Sequence, residues 1–378
     1  MKYFLVVALL ISAAGFSQSP YKETYEKQFL KESYPQKLPV LINLYPVYKD
    51  SGNFQVYIVV EIAYPFLQFI YKDGEYQAGA ELEVSFKDPT SGNNIIHDWK
   101  TFLKVDNFSS TRDRGSAHLS IDSLQLPSGR YEVFFKHKDV NGQQHIAFKR
   151  RLTLPEVDNF YASPPLLFHP EIPAQTPISG LPFLPSPMIM HWEFNRPMGV
   201  FIQFWKKDPM QPVSTHLMVL DNQTGETVYQ IDTTFALGEP EGRLSVSIPK
   251  TIFQEKKYRL KILHVVNEDS IKKSIPFNVV WFDKPLSLWN PRLRIEPLRY
   301  ILSEEEYEAL TSGNAEEQLQ RWEEFWQKRD PTPETPYNEL KAEFYSRVDS
   351  TLKKFSSRRK AGWRTDPGRI YIIYGPPD

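Results

Sequence analysis

The chain contains no cysteine among its 378 residues. That excludes disulfide staples, a thiol nucleophile, thiolate metal sites and a lipid-modified N-terminal cysteine. It also lacks charge of one sign, with 45 Lys and Arg against 46 Asp and Glu for a net of −1. No global field favours nucleic acid or an acidic membrane surface. The one short basic run, SSRRK at Ser356 to Lys360, falls at an expected helix end, where cations offset the helix dipole. Histidine is sparse and poorly placed for chemistry. His97, His118, His137, His145, His169, His191, His216 and His264 show no H-E-x-x-H or comparable ligand spacing, and none lies beyond position 264. The C-terminal part thus lacks the usual general base and the usual soft metal ligands. There is no G-x-S-x-G and no P-loop. No metal and no cofactor is expected.

Long apolar runs are missing as well, except at the start. Lys2 gives MKYFLVVALLISAAGFSQSP a positive flank, Phe4 to Ala14 an apolar stretch, and Gly15 and Ser17 small residues before a cut. This run falls short of the ~18–20 residues that span a bilayer, so residues 1–17 read as a secretory signal peptide with a mature start near Gln18. The expectation is a protein exported across the inner membrane, without a transmembrane span once the signal is removed. It would be periplasmic, outer-membrane-associated or secreted. Without disulfides, such a protein rests on its hydrophobic cores.

What the chain does have is aromatics, at 14%, and 31 prolines, which together favour strands and stiff connectors. Residues 18–155 alternate at period two between turn signals and predict an antiparallel β-sandwich of Ig-like type. Asn141-Gly142 predicts a tight hairpin with positive φ at both turn positions. Residues 156–187 are too rich in proline for the middle of a sheet and predict an extended strap. Residues 188–283 predict a second β-sandwich. Tyr258 opens a strand there as Tyr131 does in the first block, and a polar turn and an apolar strand follow both.

After Leu288 the pattern turns helical. Ser303 and Glu306 form a capping box, and a first helix runs to Gly313. A second begins near Asn314 and lines up Leu319, Trp322, Phe325 and Trp326. Thr335-Pro336 predicts the start of a third, with Leu340, Phe344, Val348, Leu352 and Phe355 as its stripe and Gly362 as its stop. RIYIIY then predicts a buried strand. The fold class is α+β: two tandem β-sandwiches, then a small, mainly helical module at 284–378 ending in a β-strand.

Three segments of this module, RYILSEEEYEAL, FWQKRDPTPETPYNELKAEFYSRV and AGWRTDPGRIYIIYGPPD, resemble the GWxTD-domain family of bacterial exported proteins. The resemblance covers roughly 288–378, a quarter of the chain, and takes its name from Gly362, Trp363, Thr365 and Asp366. One departure is Pro367, where the family more usually carries a basic residue. The resemblance also implies a domain that continues past the proline-rich turn, and the sequence leaves open whether Asp378 is the natural end. It implies no established activity.

Two readings of the GWxTD corner follow. In the structural one, Gly362 and Gly368 supply unusual φ, Thr365 and Asp366 accept backbone N–H bonds, and Trp363 wedges the turn against a core. Arg369 then pairs with Asp366 or Glu343. In the rival, Trp363, Tyr371 and Tyr374 stack on a sugar or peptide that Asp366 and Arg369 hydrogen-bond. Glu343 and Arg347, four apart on the third helix, complete the set of candidate binding residues. The function expected is a non-enzymatic scaffold or binding protein of the cell envelope, with a protein or glycan partner and no nucleic acid. The alternative is a hydrolase of envelope polymers working through Asp366, Glu343, Glu339 or Asp378. Carbohydrate binding by the sandwiches is a third reading, with Trp99, Trp192 and Trp205 as its aromatics.

Overall fold

A computed structural model describes residues 39–377 apart from 114–115, 179, 188–189 and 283. The expected signal peptide, with its cut before Gln18, lies outside the described residues, as does Asp378. The described residues divide into two compact units, one comprising those up to Phe282 with Glu334–Pro336, and one comprising Lys284–Pro333 and the residues from Tyr337 onward.

The first unit is built of strands. In chain order they are β1 Val40–Asp50, β2 Asn53–Ala63, β3 Ile70–Lys72, β4 Glu75–Lys87, β5 Asn94–Val105, β6 Ala117–Pro127, β7 Gly129–Asp139 and β8 His145–Leu154. There follow β9 Phe160–Ala162, β10 Leu166–Ile178, β11 Leu181–Ser186, β12 His191–Glu193 and β13 Met198–Lys206. The last are β14 Val213–Asp221, β15 Thr227–Phe235, β16 Glu241–Ile248, β17 Lys257–Val266 and β18 Asp269–Val280. Sheet A has the order β1-β2-β6, and sheet B is β3-β4-β7-β8 with β5 also on β4. Sheet C runs β11-β10-β13-β16 with β9 on β13, and sheet D runs β12-β18-β17-β14-β15. Sheets A and B come from the first block of sequence and sheet D from the second, while sheet C joins β9, β10 and β11 of the proline-rich segment to β13 and β16 of the second block.

Alternation along β2 explains how they pack. Phe54, Val56, Ile58, Val60 and Ile62 point into one core with Leu82, Val84, Phe86, Val133 and Phe135 of sheet B. The intervening Val59, with Tyr45 and Val47 of β1, points the other way, onto Leu166, Phe168 and Phe201 of sheet C. Sheet A is thus covered on both faces. On its far side sheet C meets sheet D, with Phe204 edge-on to His264 at 5.0 Å and tilted against Phe235 at 5.6 Å. The two sandwiches are one stack, in the layer order B, A, C, D. Each buried Val, Leu or Phe in it contributes about 1.5–3 kcal/mol.

The echo between the blocks is a matching pair of tyrosine corners. Tyr131 donates its hydroxyl to Pro127 O at 2.9 Å, and the Tyr258 hydroxyl accepts from Gln254 N at 2.9 Å. Each ties its strand to the backbone four residues upstream.

Two expectations for this unit need correction. The strap at 156–187 is strand: β10 lies between β11 and β13 in sheet C. Its prolines are accommodated by position. β10 pairs with β13 only through Leu166, Leu167 and Phe168, ahead of Pro170 and Pro173, and its pairing with β11 is irregular around Pro173. Pro170 falls outside both pairings, whereas Pro173 and Pro185 face Phe183 and Phe168 across the β10–β11 ladder, where β11 is the sheet's edge and a proline is tolerated. The hairpin at Asn141-Gly142 has no positive φ at either residue. A buried carboxylate organises that loop instead, Asp139 Oδ1 accepting from Asn141 N at 2.8 Å and Gly142 N at 3.0 Å. Positive φ at both turn residues occurs at Ser51-Gly52 and Asp73-Gly74.

The second unit is helical: α1 Pro291–Ile295, α2 Glu304–Thr311, α3 Ala315–Gln327, α4 Glu339–Phe355 and α5 Asp366–Tyr374. Capping boxes start α2 at Ser303/Glu306 and α3 at Asn314/Glu317. Trp322, Phe325 and Trp326 of α3 are buried, as are Phe344, Tyr345, Val348 and Leu352 of α4, while Leu319 and Leu340 are exposed. No described helix is long and apolar enough to cross a membrane.

Candidate functional site

The third long helix begins later than Thr335-Pro336. Asn338 is the cap of α4: its Oδ1 accepts from Lys341 N at 2.8 Å and its Nδ2 donates to Trp326 O at 2.7 Å. One amide therefore caps α4 and ties it to α3. Seven residues on, the Tyr345 hydroxyl donates to Arg294 O and accepts from Trp322 Nε1 at 2.6 Å and Trp326 Nε1 at 3.4 Å. Burial pushes this phenol far above its usual range, so it stays protonated. One turn further, Asp349 accepts from Leu286 N at 2.5 Å and Ser287 N at 2.9 Å, anchoring the short turn Leu286–Trp289.

α4 ends at Phe355 and not at Gly362. Gly362 opens a single 3-10 turn, Gly362–Arg364, and its N–H donates to Ser356 Oγ at 2.8 Å. Neither Gly362 nor Gly368 has positive φ, so unusual backbone angles are not their reason. Close approach is. A Cβ on Gly362 would collide with the Thr351 carbonyl of α4, and one on Gly368 with the Gly362 carbonyl. Three layers of bare backbone are pressed together here.

Trp363 closes the corner from inside, with 1% of its surface exposed. Tyr300 meets the indole edge-on at 6.2 Å, and the Arg364 guanidinium covers its face at 4.7 Å while pairing with Glu296 at 2.6 Å. The buried indole N–H has no partner among the described residues. Such a group costs about 1–3 kcal/mol, which the packing of the ring offsets.

Thr365 then starts a helix where a strand was expected. Its Oγ1 donates to Gly362 O at 2.7 Å and accepts from Gly368 N at 3.1 Å, which caps α5. Asp366 and Pro367 occupy the first turn, where an acid and a fixed φ both suit a helix. The correction has a plain cause. RIYIIY is apolar enough for either element, but Thr-Asp-Pro-Gly ahead of it is a helix start, and of its residues only Ile372 is fully buried.

The other end of α5 is held by Arg347 of α4. Its Nη1 donates to Ile372 O at 3.2 Å and Ile373 O at 3.1 Å, while Nη2 pairs with Glu343. A cation on free carbonyls is favourable at a helix C-terminus. Gly375, at φ 87°, ends the helix.

The eight candidate residues therefore separate. Trp363, Thr365 and Arg347 act inside the module, with Glu343 on the outer side of the arginine. Tyr371 is half-buried, edge-on to Phe355 at 5.8 Å, its hydroxyl accepting from Lys354 Nζ at 3.2 Å. Asp366 and Arg369 are exposed, and Arg369 pairs with neither Asp366 nor Glu343 among the described residues. Tyr374 is 78% exposed. With Trp363 buried and Tyr374 outside, the aromatics do not form one stacking cleft. Glu339 accepts from Thr332 Oγ1 at 2.6 Å and shares no bond with Glu343. No His, Asp and Glu cluster fit for a metal occurs among the described residues.

Sequence reasoning missed Tyr345, Asp349 and the contact role of the glycines. A signal for the first two was present. An acid inside the stripe Phe344, Val348, Leu352, one turn from a tyrosine, marks buried polar groups that must have partners.

The fold and this corner define a β-sandwich protein that carries a helical module closed by a glycine-packed turn. Residues 263–378 match the family model of the GWxTD domain. The match starts within β17, earlier than Leu288, and takes in β18. No curated protein matches the chain. Among solved structures, red sea bream transglutaminase is similar at 11% identity over 68% of this chain and 33% of that one, with a TM-score of 0.19. Parabacteroides merdae beta-glucuronidase is similar at 10% identity over 62% and 29%, TM-score 0.24. A glycosyl hydrolase family 2 member from Bacteroides cellulosilyticus is similar at 9% over 61% and 29%, TM-score 0.24. The chain spans about a third or less of the length of each. At these TM-scores neither activity nor substrate follows for this chain.

Proposed function

We propose that this chain is a non-enzymatic binding or scaffold protein of the bacterial cell envelope. Export is supported by the charged, apolar and small-residue order of its first residues. In this reading the sheet stack is a rigid body and the helical module carries a protein contact. The observation that supports it most is how the GWxTD side chains are used: Trp363 fills a core, Thr365 caps α5, and the glycines make room for backbone. What α5 leaves outside is Asp366, Arg369, Ile370, Ile373 and Tyr374, a mixture of charge, apolar surface and tyrosine. Arg and Tyr around an apolar centre are the residues protein interfaces favour.

The test uses the full chain with a photo-crosslinking residue at Tyr374 or at Arg369, expressed in the native envelope. Discrete adducts to one protein, absent when the probe stands at exposed Lys272 of β18, are expected. Turnover of peptidoglycan, glycan or peptide by the purified chain, lost in Asp366→Asn at unchanged melting temperature, would overturn the reading.

A further inference from the structure

Where β1 and β13 end, the surface of the first unit opens into a cleft of about 810 Å³. Its walls include Trp205, Lys49, Lys207, Glu239, Glu241 and Arg243. Register explains the grouping. Trp205 lies opposite Glu241, and Gln203 opposite Arg243, in the pairing of β13 with β16. Alternation puts these four side chains on one face, toward β1. Lys49 Nζ reaches both Glu241 oxygens at 3.4 Å, and Gln203 Nε2 donates to the same carboxylate at 3.1 Å. Lys206 alternates to the opposite face, where its Nζ donates to Pro209 O at 3.4 Å.

Trp205 is half-buried and held in place, its ring edge-on to Tyr48 at 4.8 Å. Its indole N–H has no protein acceptor among the described residues, and Lys207 and Arg243 form no ion pair among them. The cationic groups Lys49, Lys207 and Arg243 are matched by Asp50, Glu239 and Glu241, which line the same cleft. Charge is balanced, so a strongly ionic ligand gains little. A ligand that donates and accepts many hydrogen bonds and has an apolar face gains from every wall.

We propose that this cleft binds a neutral oligosaccharide. The indole takes the apolar face of a pyranose ring, while the carboxylates and the guanidinium take the hydroxyls. The volume falls in the ~300–1,000 Å³ range of small-ligand sites. This site stands apart from the role of the helical module, and either can fail without the other.

The test titrates the full chain with cello-, chito-, malto- and xylo-pentaose, and with heparin as a polyanion. Tryptophan fluorescence and calorimetry give the readout. One of the neutral sugars is expected to bind with Kd at or below about 1 mM. Arg243→Ala and Glu241→Gln should each weaken it by about tenfold with an unchanged melting temperature. Trp205→Phe, which keeps an aromatic ring against Tyr48, should weaken it as well while remaining folded. Absence of binding by every neutral sugar, binding of heparin alone, or affinity indifferent to these variants would each overturn the proposal.

Discussion

The carbonyl oxygen of Gly362 occupies the place where a side chain on Gly368 would begin. The Thr351 carbonyl stands in the same relation to Gly362, so the two glycines of the corner are steric requirements of one backbone stack.

Gly362→Ala and Gly368→Ala should therefore destabilise the chain by about 3 kcal/mol or more, because the obstructing atoms are backbone and cannot rotate away. Urea denaturation followed by tryptophan fluorescence measures this. Asp366→Asn, an exposed change in the same turn, should stay within about 0.5 kcal/mol.

Tyr345→Phe removes one hydroxyl that serves Trp322, Trp326 and the Arg294 carbonyl. Leaving buried donors and an acceptor unpaired should cost about 2 kcal/mol. The denaturation midpoint should fall with the slope unchanged. A loss below about 0.5 kcal/mol would mean that water replaces the hydroxyl.

Arg347→Met should free the end of α5 at a cost of about 1 kcal/mol. Hydrogen exchange at the amides of Tyr371 to Gly375 should accelerate ahead of those in α4. Glu343→Gln should do much less, since its 58% exposed carboxylate supports the arginine from the solvent side.

Acid should weaken the sheet stack through His264, which is buried beside Phe204 and Thr215 with Lys273 nearby. Burial, and then the lysine, lower its pKa from 6.5 to about 4. Between these values the unfolded chain holds a proton that the folded chain does not, so stability rises with pH. It is complete above pH 6.5 and lost as pH falls toward 4, by about 3 kcal/mol at ~1.4 kcal/mol per pH unit. Burial lowers His118 and His137 as well, and they act in the same sense. Urea midpoints measured from pH 7 to 4 should fall for the natural chain and flatten in His264→Asn.

What the sequence revealed follows from how far each signal reaches. Ser303 and Glu306 are three residues apart and satisfy each other, so α2 was legible from its own text. Asn338 was not, because half of its role is a bond to Trp326 on another helix. RIYIIY misled because an apolar run fits strand and helix alike, and the deciding residues, Thr365 to Gly368, precede it. The glycines were right in position and wrong in reason, since a missing Cβ serves φ and close approach equally. Alternation disclosed the strands but not which faces meet. The doubly apolar strands β1 and β2 hinted that sheet A has two neighbours.

That middle position of sheet A limits how the chain can be divided. A cut between the two blocks of strands would strip Tyr45, Val47 and Val59 on one piece and Leu166 and Phe168 on the other of their cover. Neither half is a portable module, and the two blocks of strands must be inherited together.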